Sequence, residues 1–401
     1  MFSKNKINLC LITKNRFFLK EKTLITNGFL FYQDIGILGF RLNEIEKLIF
    51  IGFNEEKEFD GYKYELNEIE NVFIIGPKFR EERRYILDRL INIFSTLFEI
   101  FKKRKILKDV DLVFASFFEY VVFEFLILKF ICRKAKFINY IITDYPEWNY
   151  RKNKKLFFKY LLLFCLKIVQ FLADINWALS NYLFEKYENK KSILMPSSSV
   201  RVNEIGKPKI FNFRNKIRIL FVGRFAKEKR PEIALLVAKE LANKGYNVEL
   251  ILVGDGELNK TLENMALSLK LENCKFLGWV KKRRSLMNIY EESDILLFTS
   301  TKGEGLGFVI LEAMAKVLVI LATKSGGPEE LIEEGKNGFL FEVDDNNIIN
   351  KLASKIEFLI NHPKICEVIS QNNIQKAKEW TIETLSKIQR KEILKLLNKY
   401  E

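Results

Sequence analysis

The chain has 401 residues, 48% of them hydrophobic and 29% charged, which describes a folded protein of about two domains and excludes a disordered one. A formal net charge of +15 favours an anionic partner: a phosphate-bearing substrate, an anionic membrane or nucleic acid. Five scattered cysteines with no CxxC pair read as reduced thiols of a cytoplasmic protein, and a lone histidine, His362 in an Asn-His-Pro turn, argues against a histidine zinc site or a Ser-His-Asp triad.

In chain order, residues 7–12 predict a first strand, followed by a basic, glycine-free stretch at 14–22. Apolar runs at 47–52 and 72–76 each end in glycine and read as central strands of a parallel sheet. Residues 81–105 predict an amphipathic helix with a basic end, and 111–116 another strand. Residues 117–131 and 151–173 are apolar, aromatic and flanked by lysines and arginines. Neither reads as a transmembrane span. Glu119 and Glu124 interrupt the first, and Lys159, Lys167 and Gln170 the second, short of the ~18 apolar residues a span needs. They are either buried helices over a sheet or an interfacial surface resting on anionic lipid. Between them, residues 137–143 predict a strand ending at Asp144-Tyr-Pro-Glu147. Asp144 is either chemistry at the carboxyl end of a parallel strand or an Asx turn ahead of Pro146. A strand at 174–180, a helix at 181–187 and a short strand near 193 complete this half. The chain start shows no signal-peptide pattern.

A basic irregular linker at 204–216 precedes a second run of strands and helices. Strands at 217–222, 248–253 and 294–298 lead to Gly223-Arg224…Lys229, to Gly254-Asp-Gly256 and to the stretch 303–313, Gly-Glu-Gly-Leu-Gly-Phe-Val-Ile-Leu-Glu-Ala. The last stretch is a glycine-bearing turn into a helix, so helix amides and the positive dipole end suit an anionic ligand. Glu304 and Glu312 bracket it, eight residues apart. A strand at 317–322 and Gly326-Gly327-Pro328-Glu329 follow, and residues 348–399 form helices only. The alternation of strand and helix in both halves implies α/β architecture with two Rossmann-like domains. Strand ends converge on one edge of the second sheet, where Arg224 and Lys229 could neutralise a diphosphate.

With these motifs the second half resembles the donor domain of retaining GT-B glycosyltransferases of the GT4 type, the glycosyl transferases group 1. The resemblance covers residues 215–345, through 222–229, Val253-Gly254-Asp-Gly256, Phe276-Leu-Gly278, Glu304-x7-Glu312 and 326–329. It implies two doubly wound parallel-sheet domains facing a cleft: an acceptor domain over 1–203, a donor domain over 204–379, and a helix at 380–401 returning to the first. It further implies that Gly223, Arg224 and Lys229 hold the diphosphate of a UDP- or GDP-sugar. Glu304, Gly305, Leu306 and Gly307 would meet sugar and phosphate, with Gly254 and Gly256 nearby. Glu312 would take the ribose hydroxyls and the backbone near Val280 the base. Asp144 is the best match to the acidic or histidine residue many relatives place near the donor sugar, giving a catalytic set of Asp144, Glu304, Arg224 and Lys229. The implied activity is metal-independent transfer of a hexose-type sugar to a glycan or lipid-linked acceptor in cell-surface polysaccharide or glycolipid synthesis. The implied setting is cytoplasmic, at a membrane surface. No cofactor and no nucleic-acid partner is expected.

The first half departs from the family. The glycine-rich loop after the first strand is replaced by Thr13-Lys-Asn-Arg-Phe-Phe-Leu-Lys20, with Asp34-Ile-Gly-Ile-Leu-Gly39 further on. Asp109-Val-Asp111 has the spacing of a metal-binding pair but precedes its strand instead of following it. A GT-B-fold sugar epimerase, a non-catalytic scaffold and a basic nucleic-acid- or membrane-binding protein are the competing classes.

Overall fold

The computed structural model describes residues 6–26, 42–55, 62–77, 86–116, 121–146 and 156–399. The first half contains strands β1 (Ile7–Lys20), β2 (Thr23–Thr26), β3 (Ile45–Asn54), β4 (Tyr62–Glu65), β5 (Asn71–Ile75), β6 (Leu112–Ser116), β7 (Lys136–Ile141), β8 (Ile175–Ala178) and β9 (Ser192–Leu194). Its helices are α1 (Ile86–Lys102), α2 (Arg104–Leu107), α3 (Val121–Ile131), α4 (Leu156–Leu172) and α5 (Asn181–Tyr187). The second half carries β10 (Ile217–Val222), α6 (Glu232–Asn243), β11 (Val248–Val253), α7 (Asn259–Ser268), β12 (Cys274–Phe276), α8 (Arg283–Glu292) and β13 (Ile295–Phe298). It continues with α9 (Phe308–Ala315), β14 (Val319–Thr323), α10 (Pro328–Leu331), β15 (Phe339–Phe341), α11 (Ile348–Asn361), α12 (Pro363–Glu379) and α13 (Ile382–Leu396).

The second sheet has six parallel strands in the order β12-β11-β10-β13-β14-β15. Its strands are near-continuous Val, Ile and Leu runs because helices cover both faces. Ile219 and Phe221 of β10 point into one apolar cluster and Leu220 into the other, as the two-residue strand period requires. The chain order reverses between β10 and β13, which opens a crevice at their carboxyl ends.

The first sheet repeats that plan and adds to it. Its parallel strands run β5-β3-β1-β6-β7-β8-β9, with the reversal between β1 and β6. Two expectations are corrected here. The basic stretch after residue 12 is strand, not loop, since β1 continues to Lys20 and folds back antiparallel onto β2, which pairs with β4. Lys20 pairs with Thr23 across a two-residue turn in which Glu21 has φ 54°, so Phe17-Phe-Leu and Thr23-Leu-Ile-Thr26 form a hairpin. Strict alternation therefore fails in this half. Among the described residues β1, β3 and β5 are joined through β2 and β4, and α-helices enter only after β5. The glycines at 36 and 39 lie outside the described residues.

The helices after residue 347 close the molecule. Thr381 caps α13, and that helix returns to the first sheet, where Arg390 pairs with Glu44 at 2.6 Å and Ile393 and Leu394 join its apolar cluster. Asp111 accepts the Asn8 amide at 2.9 Å at the amino edge of the first sheet, the edge away from the crevices. No described helix is long and apolar enough to cross a membrane.

Candidate active site between the two sheets

The crevice of the second sheet starts from its glycines. Gly223 donates to the Val253 carbonyl and Gly254 to that of Gly278, which ties the ends of β10, β11 and β12 together. Gly254 sits at φ 145°, and a Cβ there would lie 1.9 Å from the Gly223 oxygen, so no side chain fits. The chain then turns to present Arg224 and Lys229. Arg224 pairs with Glu228 four residues on, and Lys229 pairs with Glu304 from the loop after β13. The Thr299 hydroxyl lies 2.8 and 2.9 Å from the carbonyls of Lys229 and Arg230 and holds that turn against the end of β13.

A cleft of about 310 Å³ opens at this point, lined by Arg224, Lys229, Lys302 and Glu304 from the second half and by Thr143 and Tyr145 from the first. The halves touch at its floor. The Thr143 hydroxyl reaches the Gly303 carbonyl at 3.3 Å, and a Cβ on Gly305 would lie 2.1 Å from the Ile142 oxygen. Gly305 is thus glycine because two domains meet on it. Leu306 is buried and Gly307, at φ 79°, starts α9. Burial pushes the Glu304 carboxyl up, but the Lys229 charge and hydrogen bond, with help from Ser300 and the Gly305 amide, more than reverse this and hold it below the usual range. Glu304 is therefore ionised beside its cation.

Glu312 has other company. It is buried, its Oε2 accepts from Tyr290 at 2.9 Å, and its Oε1 pairs with Arg283. The Arg283 guanidinium also donates to Glu204 at 2.7 and 3.0 Å and to the Ser199 carbonyl at 2.7 Å. Burial pushes the guanidinium down, yet the two carboxylates outweigh it and raise its pKa. Burial and the Glu312 charge together raise the Tyr290 hydroxyl well above its ordinary value.

Asp144 lies beside the cleft without lining it. Its side chain is wholly buried, so it does not face the cleft as an acid meeting a sugar would; its neighbours Thr143 and Tyr145 do. Its oxygens accept from the Tyr182 hydroxyl at 2.7 Å, from the Tyr187 hydroxyl and from the Lys186 ammonium, all on α5. That helix also meets the second half: Glu330 accepts the Asn181 amide at 2.7 Å, and a Cβ on Gly326 would lie 2.9 Å from the Tyr182 ring. Asp144 anchors the helix against which the donor half leans.

The fold therefore brings together Arg224, Lys229, Glu304 and the turn from Gly303 to Gly307. Gly256 stands beside them, its amide engaged by Asp255 and Asn259, while Val280 packs against the main apolar cluster past the end of β12. Arg283, Glu204 and Tyr290 around Glu312, and Tyr182, Lys186 and Tyr187 around Asp144, were not read from the sequence. For Tyr182 and Lys186 a signal existed: positions i and i+4 of one short helix share a face.

The glycosyl transferases group 1 family matches residues 203–376. An uncharacterized glycosyltransferase of Haemophilus influenzae is 31% identical over 252 residues, 62% of this chain and 67% of that protein. The capsular polysaccharide biosynthesis glycosyltransferase CapM of Staphylococcus aureus is 28% identical over 241 residues, 55% of this chain and 61% of that protein. The crystal structure of Anabaena HepE in complex with UDP superimposes with a TM-score of 0.70 at 18% identity, covering 97% of this chain and all of that one. Two parallel α/β sheets facing a shared cleft, together with this relationship, are conclusive: the chain belongs to the glycosyl transferases group 1 family and has the GT-B fold.

Proposed function

We propose that this protein is a retaining, metal-independent glycosyltransferase that moves a hexose-type sugar from a UDP- or GDP-sugar to a glycan or lipid-linked acceptor in cell-surface polysaccharide or glycolipid synthesis. The observation that carries the reading is the convergence of Arg224, Lys229 and Glu304 on one cleft at the switch point of the second sheet. Two cations match the charge of a diphosphate, Arg224 with a bidentate fork and Lys229 as a point charge. In this structure each is paired with a carboxylate, so a diphosphate exchanges one anionic partner for another.

As the bond from the anomeric carbon to the phosphate oxygen breaks, positive charge grows on the sugar and negative charge on the leaving diphosphate. Arg224, Lys229 and the leading amides of α9 stabilise the latter. Glu304, kept ionised, accepts from sugar hydroxyls. The acceptor hydroxyl attacks on the face the diphosphate leaves, forming the new carbon–oxygen bond, and its proton passes to the departing phosphate. The configuration is retained without a protein nucleophile. A ribose at Glu312 shares that carboxylate with Tyr290 and Arg283. The UDP carried by HepE and the capsular polysaccharide role named for CapM support the donor class and the pathway.

A screen of UDP- and GDP-sugars for binding and hydrolysis tests the reading, with turnover expected to be unchanged by EDTA. If no nucleotide sugar binds or turns over, the reading fails.

A further inference from the structure

We propose that the outer face of α1, α3 and α4 docks this protein on an anionic lipid bilayer. The three helices form one layer, with α3 packed against both α1 and α4. Each connects a strand of the first sheet to the next in the same direction, so all run antiparallel to the strands on one face. Their N-terminal ends share the carboxyl edge of the sheet with the cleft.

A helix covering a sheet in water turns its apolar stripe inward. Here named positions are reversed. Helix α1 buries Asn92 and Thr96 and presents Phe94 and Phe98, 68% and 65% exposed. Helix α3 buries Glu124 and presents Phe123, Leu126 and Phe130. Helix α4 buries Gln170 and presents Phe157, Phe164 and Phe171, the last 78% exposed. Single exposed apolar residues are ordinary; an aromatic stripe on each of three adjacent helices is a contact surface.

Charge selects the occupant. At the C-terminal end of each stripe a cation stands over the last aromatic ring: Arg104 over Phe101 at 4.6 Å, Arg133 over Phe130 at 5.3 Å and Lys191 over Phe171 at 5.7 Å. The parallel course of the helices puts these three pairs along one edge. A ring with a cation beside it suits the headgroup level of a bilayer, where the ring enters the apolar boundary and the cation meets lipid phosphate. A second copy of the chain would set +15 against +15 and one basic border against another. With no described helix able to span, the contact is interfacial. The contact does not depend on the transfer chemistry.

The test is flotation of the full chain with phosphatidylcholine vesicles, with and without phosphatidylglycerol. The protein is expected to float with the anionic vesicles and to release as salt is raised. The variant F98Q/F130Q/F164Q, which changes exposed side chains only, is expected to partition about a hundredfold more weakly while keeping its elution volume and its binding of nucleotide sugar. R104Q/R133Q should lose the preference for anionic vesicles. Three results would overturn the proposal: no flotation of the parent protein, a triple variant that floats like the parent, or a parent dimer that the triple variant converts to monomer. Loss of nucleotide-sugar binding in parent and variants alike would count against the transfer reading and leave this one standing.

Discussion

Both sheets place a carboxylate just past the carboxyl end of a strand, and the two carboxylates live differently. Glu304, after β13, lines the cleft with one cationic partner, Lys229. Asp144, after β7, is enclosed by two tyrosines and a lysine. The elements that supply the partners account for the difference. Helix α9 opens with Phe308-Val-Ile and offers no donor side chain, so the partner of Glu304 comes from a distant loop and can be exchanged. Helix α5, which follows the neighbouring strand β8, brings Tyr182, Lys186 and Tyr187 onto Asp144. Comparable topological positions thus yield a cleft-lining carboxylate in one sheet and a buried, hydrogen-bonded one in the other.

That contrast is open to breakage. Its strongest test is the pair of cations. Arg224→Ala and Lys229→Ala are each expected to lower kcat/KM on the correct donor by about 10²–10³-fold, the scale for removing a group that meets developing charge. Near-parental rates in steady-state assays would remove the diphosphate role. Arg283→Ala strands Glu204 and Glu312 without their shared cation. Urea unfolding should show a loss of about 3 kcal/mol, somewhat under what a fully buried pair would lose, because the guanidinium is partly exposed. An unchanged midpoint would mean the cluster is relaxed in solution.

Asp144→Asn sharpens the comparison directly. An anchor predicts a stability loss of about 1–3 kcal/mol from weakened hydrogen bonds, with a modest fall in kcat and an unshifted pH–rate profile. A collapse of kcat at full stability would instead make Asp144 a catalytic group. The smallest effect concerns acid. Because the Glu304 carboxyl is held below its unfolded value, its pairing stabilises the fold above the ordinary glutamate range, about pH 4.3, and that contribution disappears as pH falls through the depressed value. Tm measured against pH should therefore fall less steeply on the acid side for Glu304→Gln than for the parent.

The second sheet was legible because its signals are local: apolar strands, glycines at their ends and a motif carried by adjacent residues. The glycine at 305 could be read as a turn residue, but its second reason, contact with Ile142, involves a residue more than 160 positions away. Arg283 sits in Lys281-Lys-Arg-Arg284, where nothing distinguishes the one side chain that turns inward. The hairpin of β1 and β2 was hidden because Lys14 to Lys22 reads as a charged connection, while the Phe17-Phe-Leu within it pairs with β2. The apolar helices resisted reading for the same reason: composition shows that α1, α3 and α4 are greasy, and only the fold shows which side faces out.

The chain crosses between its two halves twice, once near Val200 and once near Ile382, and the crossings are bonded side by side. The Ile382 amide donates to the Val200 carbonyl at 2.8 Å, the Val202 amide to Glu383 at 3.1 Å, and Gln389 to the Pro196 carbonyl at 3.2 Å. Two parallel tethers fused in this way act as the spine of a book. Sliding the halves past one another would break the bonds between both tethers. Ser199 belongs to the same spine, and through Arg283 it is joined to Glu312. The second carboxylate of the motif is thus wired, through Arg283, to the seam that joins the two halves.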